Sequence, residues 1–353
     1  MSDNGGSTRL SIAAKAGILL LLGFVLVAVF ADFLAPYDHT SQSRNLPNAS
    51  ISTISFSNDD SGSFSLVPRV FEPKMTDALL QSYTHDPSRS AKVEFFAKGY
   101  SYRLLGVIPL DRHLFGTGSD EIGLHLLGTD ALGRDRFSRL LIAIRFSLIV
   151  CTIGAAFASI VGIALGLVGG YAGKMADTVI SGVADAVISL PSMIVILAAR
   201  VAFPLELPPM TAALLLVGLF TFTGWAEMTR LTRGLVKRTR TLDYITAARI
   251  SGVSGSRILV RHILPNIARP LLTQATLILP AFLLVEATLS FLGVGLQEPE
   301  PSLGNMLAAA NDLTQLREHA FVLLSPAIVI ALFVLAVRLT NTGFNTNEDR
   351  KNF

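Results

Sequence analysis

The chain has one cysteine, one tryptophan and few charged residues, and each scarcity excludes something. Cys151 sits alone in an apolar run, so it can form no intrachain disulfide and has no partner for a metal or redox pair; it reads as packing. A phosphate-binding loop, G-x-x-x-x-G-K-[ST], is missing. The nearest approach, Gly173-Lys174, has Val168 where the first glycine belongs and Met175 after the lysine. No H-E-x-x-H, paired-cysteine or G-x-S-x-G pattern offers an enzyme, no ligand set suggests a metal, and the six histidines are scattered. Charged residues make up only 16% of 353 positions, against 51% hydrophobic residues. The mean hydropathy of +0.53 is that of a chain whose solvent is a bilayer. The pI near 9.1 does not indicate nucleic-acid binding, because the cations cluster beside apolar runs as topology signals.

Six runs reach or approach the roughly 20 apolar residues that cross a hydrocarbon core. They are residues 10–35, 144–168, 178–203, 210–228, 271–294 and 320–339. A spanning segment must satisfy its own backbone hydrogen bonds, and the alternation of barrel strands is absent, so all six are expected to be helices. The expected fold is an all-α polytopic membrane protein.

Arg230, Arg233, Lys237, Arg238, Arg240, Arg249, Arg257, Arg261 and Arg269 lie between the fourth and fifth runs, with the single acid Asp243. The excess places this loop in the cytoplasm. Counting through six spans puts both termini there, with Arg9 and Lys15 at one end and Arg338, Arg350 and Lys351 at the other. Arg134, Arg136 and Arg139 then lie outside, which is tolerated because the preceding loop is long. The apolar core at 16–31 exceeds a signal-peptide h-region and no clear A-x-A site precedes Asp32, so the first run reads as an uncleaved anchor.

Residues 37–126 change character and form an extracytoplasmic insertion. Residues 40–65, rich in Ser, Asn and Asp, read as flexible. Residues 67–115, with Phe71, Leu79, Leu80, Phe95, Phe96, Tyr100 and Tyr102, have enough apolar content for a small folded lobe.

Four patterns carry the functional signal. Leu127-Gly128-Thr129-Asp130, Gly133-Arg134-Asp135 and Ser138-Arg139 lead into the second run, where Asp130 and Asp135 can cap the helix or pair with the arginines. Asp185 and Pro191, in D-x-x-x-S-L-P, fall in the third run. An acid there costs roughly 2.5 to 3.5 kcal/mol at a membrane centre, and structural pairing is preferred over substrate contact; the proline should kink the helix. Glu286 lies in A-F-L-L-V-E-A-T-L-S-F-L-G-V-G, and either lines a path or bonds between helices; Gly293 and Gly295 permit close approach or a break. Pro299 and Pro301 stop that helix, and 302–311 is expected as a short re-entrant or interfacial segment. Last, Ala247-Ala248, Gly252 and His262-Ile263-Leu264-Pro265 punctuate the basic loop.

Taken together these patterns, over about half the chain from Leu127 to Leu307, resemble the permeases of ABC importers of the dipeptide/oligopeptide family. The loop resembles their cytoplasmic EAA motif, with Thr246 in place of the usual glutamate. Asn341-Thr342-Gly343-Phe344 departs from the acidic end usual in the family, and the insertion lies outside the resemblance.

The loop reads mechanically as a helix-turn-helix. Tyr244 to Ser251 form two turns with Asp243 as N-cap, Gly252 ends them, Ser254 starts a second helix and Pro265 ends it. Ala247 and Ala248 let the first helix sit deep in a partner's groove, and Arg249 and Arg257 can pair with acids at its rim. The resemblance makes Asp243, Tyr244, Thr246, Ala247, Ala248, Arg249, Gly252, His262 and Pro265 the ATPase-coupling residues. Asp185, Pro191 and Glu286 are the candidates for the translocation path.

The resemblance further implies the type I importer fold with six transmembrane helices. Residues 1–36 are a cytoplasmic N-terminus and first helix, 37–126 the insertion, 127–340 a permease core with its coupling loop at 230–270, and 341–353 a cytoplasmic tail. It implies a second, related permease chain, two cytoplasmic ATPase subunits that carry the ATP and Mg, and an extracytoplasmic binding protein. Peptides are the first choice of cargo, while related systems carry nickel complexes, glutathione and oligosaccharides. The insertion is either a solvated decoration or a surface that docks the binding protein. An ion-coupled secondary transporter using Asp185 and Glu286 would need no ATPase, but it leaves the basic loop unexplained and shows no inverted repeat. A receptor acting through the insertion alone leaves the motif set unexplained.

Overall fold

Long apolar runs become long helices, and proline and glycine mark where they break. The computed structural model describes residues 11–57, 64–77, 81–119, 122–204 and 206–349. Arg9, Leu10, Leu79, Leu80, Arg350 and Lys351, used above as signals, lie outside them. The described chain begins with α1 (Ile12–Val29) and the short α2 (Ala31–Leu34). Strands β1 (Ile54–Ser57), β2 (Phe64–Asp77), β3 (Ser82–Phe95), β4 (Lys98–Leu104), β5 (Ile108–Arg112) and β6 (Phe115–Thr117) follow. Next come α3 (Arg136–Tyr171), α4 (Lys174–Ser189), α5 (Ser192–Val201), α6 (Pro209–Thr239), α7 (Asp243–Ile250) and α8 (Gly255–Ile258). A π turn (Leu259–Ile263) joins α8 to α9 (Leu264–Phe291), and α10 (Leu303–Ala308), α11 (Leu313–Leu323) and α12 (Ser325–Asp349) complete the chain.

Among the described helices, five are long and apolar enough to cross a membrane: α1, α3, α6, the continuous Gly255–Phe291, and Ser325–Thr342 of α12. The chain is a multi-pass membrane protein. The run expected as a third span is instead two helices, α4 and α5, bent by 79°. A proline ring crowds the residue before it out of the helical region, and Leu190 is accordingly extended (φ −90°, ψ 130°). Counted as one span, the pair would bring the total to six.

The all-α expectation fails in the insertion. β1, β2, β3 and β6 form one antiparallel sheet and β4 pairs with β5. Val70 and Ala91 face each other across β2 and β3 and are buried with Ile122 and Leu124, a core too small and too discontinuous in sequence to register as an apolar run. The flexible reading of 40–65 also fails where it is described. Ser43 N donates to Gly133 O, Asn48 N to Asp130 O and Ser52 N to His125 O, so long-range backbone hydrogen bonds hold a segment whose composition is polar.

The described residues fall into two compact units. One takes those of Met1–Leu21, Leu148–Leu289 and Ala331–Phe353, the other those of Leu22–Ser147 and Ser290–Ile330. In the first, α3 and α6 meet along a seam of small residues. A methyl added at Gly162 would sit 2.5 Å from Met228 Cβ, and one at Gly166 would sit 2.4 Å from Thr232 Cβ. Such backbone proximity is how apolar helices associate without a hydrophobic driving force. Phe220 and Phe282 stack nearby with ring centroids 4.5 Å apart.

In the second unit the LGTD and GRD residues build the turn that starts α3. Gly128 (φ +66°) and Gly133 (φ +74°) back onto Ala49 O and Ser43 O, where a Cβ would lie 2.2 and 1.9 Å away. Asp135 Oδ2 accepts from Ser138 N and Oγ, both at 2.7 Å, and so caps α3 as expected. Asp130 accepts from Arg134 Nε at 2.7 Å, so the second acid pairs rather than caps.

Candidate coupling loop and translocation-path residues

The segment after α6 folds as the helix-turn-helix that its residues called for, with two differences. α7 begins at Asp243, so Leu242 occupies the N-cap position and Asp243 lies in the first turn, where its charge still complements the helix dipole. No side chain caps this end. Its other end is a Schellman motif: Val253 N donates to Ala248 O and Gly252 N to Arg249 O, both at 3.1 Å, with Gly252 at φ +79°. The reversal needs a left-handed residue at that place, and glycine adopts it without strain. Ser254 then occupies the N-cap position of α8.

Pro265 does not end the second helix. The π turn over Leu259–Ile263 widens the backbone just before it, so the proline enters α9 without striking the carbonyl four residues back. The helix runs on to Phe291, and the loop is joined to it without a break.

Burial divides the loop into an anchored face and a free one. Ile245, Ile258 and Ile263 are fully buried, whereas Thr246, Ala247, Arg249 and Gly252 are exposed and Ala248 is half-buried. Ile250 is 82% exposed, a large aliphatic side chain at the loop's outermost turn. Arg249 lies over the ring of Tyr171 at the end of α3, and Asn266 Nδ2 donates to the Tyr244 hydroxyl. His262 is half-buried in the π turn. The free face therefore carries small residues, the cations Arg249, Arg257 and Arg261 and the aliphatic Ile250, a set suited to a groove with an acidic rim.

The path candidates occupy different environments. Pro191 sits at the break between α4 and α5 and lines a cavity of about 320 Å3 with Ser192, Phe222, Thr223 and Glu227. Glu286 is fully buried within α9. Asp185 is exposed on α4 and makes no hydrogen bond or ion pair among the described residues. The pairing expected of it belongs to Asp177, about two turns earlier on the same helix, whose carboxylate accepts from Arg233 Nε and, at 2.5 Å, from Lys237 Nζ.

Sequence reasoning passed over Asp177 and Glu227. Glu227 was placed at the end of the fourth apolar run, although α6 continues to Thr239. It lines the 320 Å3 cavity and a second of about 130 Å3 with Gln274, Ile278 and Phe282, and it has no ion pair among the described residues. The signal that could have found it was an acid with apolar residues on both sides. Asp177 was findable as the acid nearest the basic loop at the start of a span.

In the other unit, charged side chains bind the start of α3 to the segment after α9. Arg134 reaches Glu298 at 2.5 Å, and Arg139 Nη2 reaches both Glu298 oxygens at 2.9 and 3.0 Å. Arg139 also donates to Pro299 O at 3.0 Å. His39 bonds Glu300 at 3.2 Å, and this bond holds the Glu300 carboxyl below its ordinary range. Burial, with Asp135 adding to it, pushes the Tyr37 phenol up to about 12 where its ring stacks on His125. α9 ends at Phe291, just before Gly293 at φ +74°, so the helix breaks at the glycine and not at Pro299 or Pro301 as expected; a short helix, α10, follows, opened by a Ser302–Asn305 capping box.

Comparison with known proteins is consistent in its direction. Residues 162–347 match a family profile described as "Binding-protein-dependent transport system inner membrane component", and residues 11–50 match "N-terminal TM domain of oligopeptide transport permease C". The chain is 37% identical over 227 residues to a Pseudomonas aeruginosa protein named "Di/tripeptide transport system permease protein DppC", covering 64% of this chain and 72% of that one. It is 34% identical over 229 residues to a Bacillus subtilis "Dipeptide transport system permease protein DppC", covering 64% and 69%. A Mycobacterium tuberculosis "Oligopeptide transport system permease protein OppC" is 33% identical over 225 residues, covering 64% and 75%.

Proposed function

The chain belongs to the family of binding-protein-dependent transport system inner membrane components, and on that footing we propose that it is a transmembrane permease subunit of an ATP-driven peptide importer. Di- or oligopeptides are the cargo, in line with the names its relatives carry. ATP and Mg belong to two partner ATPase subunits in the cytoplasm. A second, related permease chain completes a heterodimer, and an extracytoplasmic binding protein delivers the substrate.

The observation that carries this reading is the exposed, Schellman-closed helix α7 set between two long apolar helices and followed by α8, which is continuous with the second of them. In this reading Asp243, Tyr244, Thr246, Ala247, Ala248, Arg249 and Gly252 face the ATPase, while His262 and Pro265 pass its movement into α9. The α4–α5 pair counts as one span, which gives six, both termini in the cytoplasm and the β-rich insertion outside. Pro191 and Glu227 border the path, Asp185 lies near its cytoplasmic side, and Glu286 fixes the helices around it. ATP-driven closure of the partner subunits moves α7 as a rigid body and alternates the permease between outward- and inward-facing states.

Affinity purification from native membranes, comparing the natural chain with Gly252→Arg, tests the proposal. A nucleotide-hydrolysing subunit should accompany the natural chain and be lost from the variant. Recovery of an intact membrane complex without any ATPase would sink the importer reading and favour an ion-coupled carrier.

A further inference from the structure

The turn between β3 and β4 presents two aromatic rings that the protein leaves uncovered. Phe95 is 70% exposed and Phe96 57%. Phe96 also has φ +56°, a left-handed conformation that a bulky residue seldom adopts. Strain of this kind persists only where the surroundings hold it, and here they tie the turn to the far end of the first span. The Phe96 ring lies 6.1 Å from that of Phe33, Leu114 N donates to Phe33 O at 2.8 Å, and His113 Nδ1 hydrogen-bonds Asp32 O at 2.8 Å. Arg112 Nη1 donates to Phe96 O at 3.0 Å, and its partner across the β4–β5 pair is Lys98; both cations are exposed.

Depth follows from helix length. About 20 residues cross a hydrocarbon core, so a span that begins near Ile12 leaves it between Phe30 and Phe33. The exposed apolar side of α1, with Leu22, Val25 and Leu26, continues through Phe30 toward Phe33, whose ring meets that of Phe96, next to Phe95 in the chain. The aromatic turn therefore lies where a spanning helix meets the headgroup layer. Aromatic rings settle in that layer, and cations beside them meet anionic lipid phosphates.

We propose that the β3–β4 turn is an interfacial membrane anchor: Phe95 and Phe96 enter the headgroup region beside α1, while Lys98 and Arg112 contact anionic headgroups. The β-rich insertion is thereby fixed down onto the bilayer. Its partner at this turn is a lipid surface.

The single tryptophan, Trp225, makes the turn readable by fluorescence. The full chain with Trp225→Phe and Phe95→Trp is reconstituted in vesicles of phosphatidylcholine and phosphatidylglycerol, with or without bromine on the acyl chains near the headgroup. Marked loss of emission in brominated vesicles, with little quenching by aqueous iodide, is expected. Phe96→Trp in the same background reads the turn independently if the first variant does not fold. Iodide quenching without lipid quenching overturns the proposal in favour of a water-facing turn. Protection from iodide that requires the second permease chain, without lipid quenching, overturns it in favour of a protein contact. Neither readout involves ATP or transport, so the result stands apart from the proposed function.

Discussion

The guanidinium of Arg249 lies over the ring of Tyr171, 5.9 Å from its centroid, and joins the exposed helix α7 to the end of α3. An exposed cation–π contact is worth about 0.5 to 1 kcal/mol, too little to fold the loop but enough to bias how it is held. Tyr171→Ala and Arg249→Gln should each lower peptide uptake in reconstituted vesicles while the ATPase still binds, and Tyr171→Phe should retain most of it. The double variant should be no worse than the poorer single one. Independent, additive losses would show that the two side chains act separately.

In the proposed coupling loop, Thr246 stands where the EAA motif that the loop resembles carries a glutamate. It is exposed, and its hydroxyl makes only a long hydrogen bond of 3.4 Å to Leu242 O, so replacing it costs the loop little. A carboxylate placed there against a partner cation forms a charge-assisted bond worth roughly 1.5 to 3 kcal/mol. Thr246→Glu is expected to slow ATPase dissociation by about tenfold or more, measured by retention on washed membranes. Unchanged or weaker retention would mean that the partner surface has no cation at this place.

Gly166 and Gly169 separate packing from propensity. Alanine improves a helix-interior position over glycine by about 1 kcal/mol where its methyl fits. At Gly166 the added methyl meets Thr232 Cβ at 2.4 Å, and overpacking typically costs 1 to 3 kcal/mol, so the loss wins. At Gly169 the nearest atom is Ile180 Cγ2 at 3.4 Å, so the gain wins. Thermal unfolding of the detergent-purified chain should show Gly166→Ala melting lower and Gly169→Ala at or above the natural protein. Equal melting temperatures would refute the seam.

Glu300 gives the pH dependence. Its hydrogen bond to His39, ahead of the burial that opposes it, holds the carboxyl below the ordinary value of 4.5. A carboxylate depressed in the folded state contributes stability above its unfolded value, and that contribution disappears as pH falls through the folded value. Stability should therefore be level near neutrality and fall below about pH 4.5. His39→Gln, by bringing the folded value back toward the unfolded one, should shrink the fall, and Glu300→Gln should remove its share altogether, both read as melting temperature against pH. A profile unaltered by Glu300→Gln would refute the assignment.

Gly252 and Pro191 were legible in the sequence because their covalent chemistry dictates local backbone: one accepts φ +79°, the other expels its predecessor from the helix. The long spans were legible through length and hydropathy. The 79° bend was not, since a proline announces a kink without its size. The β lobe stayed hidden because its core joins Val70, Ala91, Ile122 and Leu124 across more than fifty residues, and no single window contains it. Asp177, Arg233 and Lys237 were each visible as charges, but only the fold brings α4 beside α6 and decides that Asp177, not Asp185, receives both cations. Pro265 misled because a π turn, which no composition announces, absorbs its ring.

A seam that has no room for a methyl has no room for sliding either. Along Gly162 and Gly166, α6 is keyed into α3 by Met228 and Thr232, so within their unit the two helices act as a single stiff lever. α4 and α5 are parted at Leu190 and Pro191, where the helix is interrupted and the chain turns by 79°. If the proposed coupling holds, force delivered to the turns that follow α6 is carried by the stiff pair and meets the break between α4 and α5.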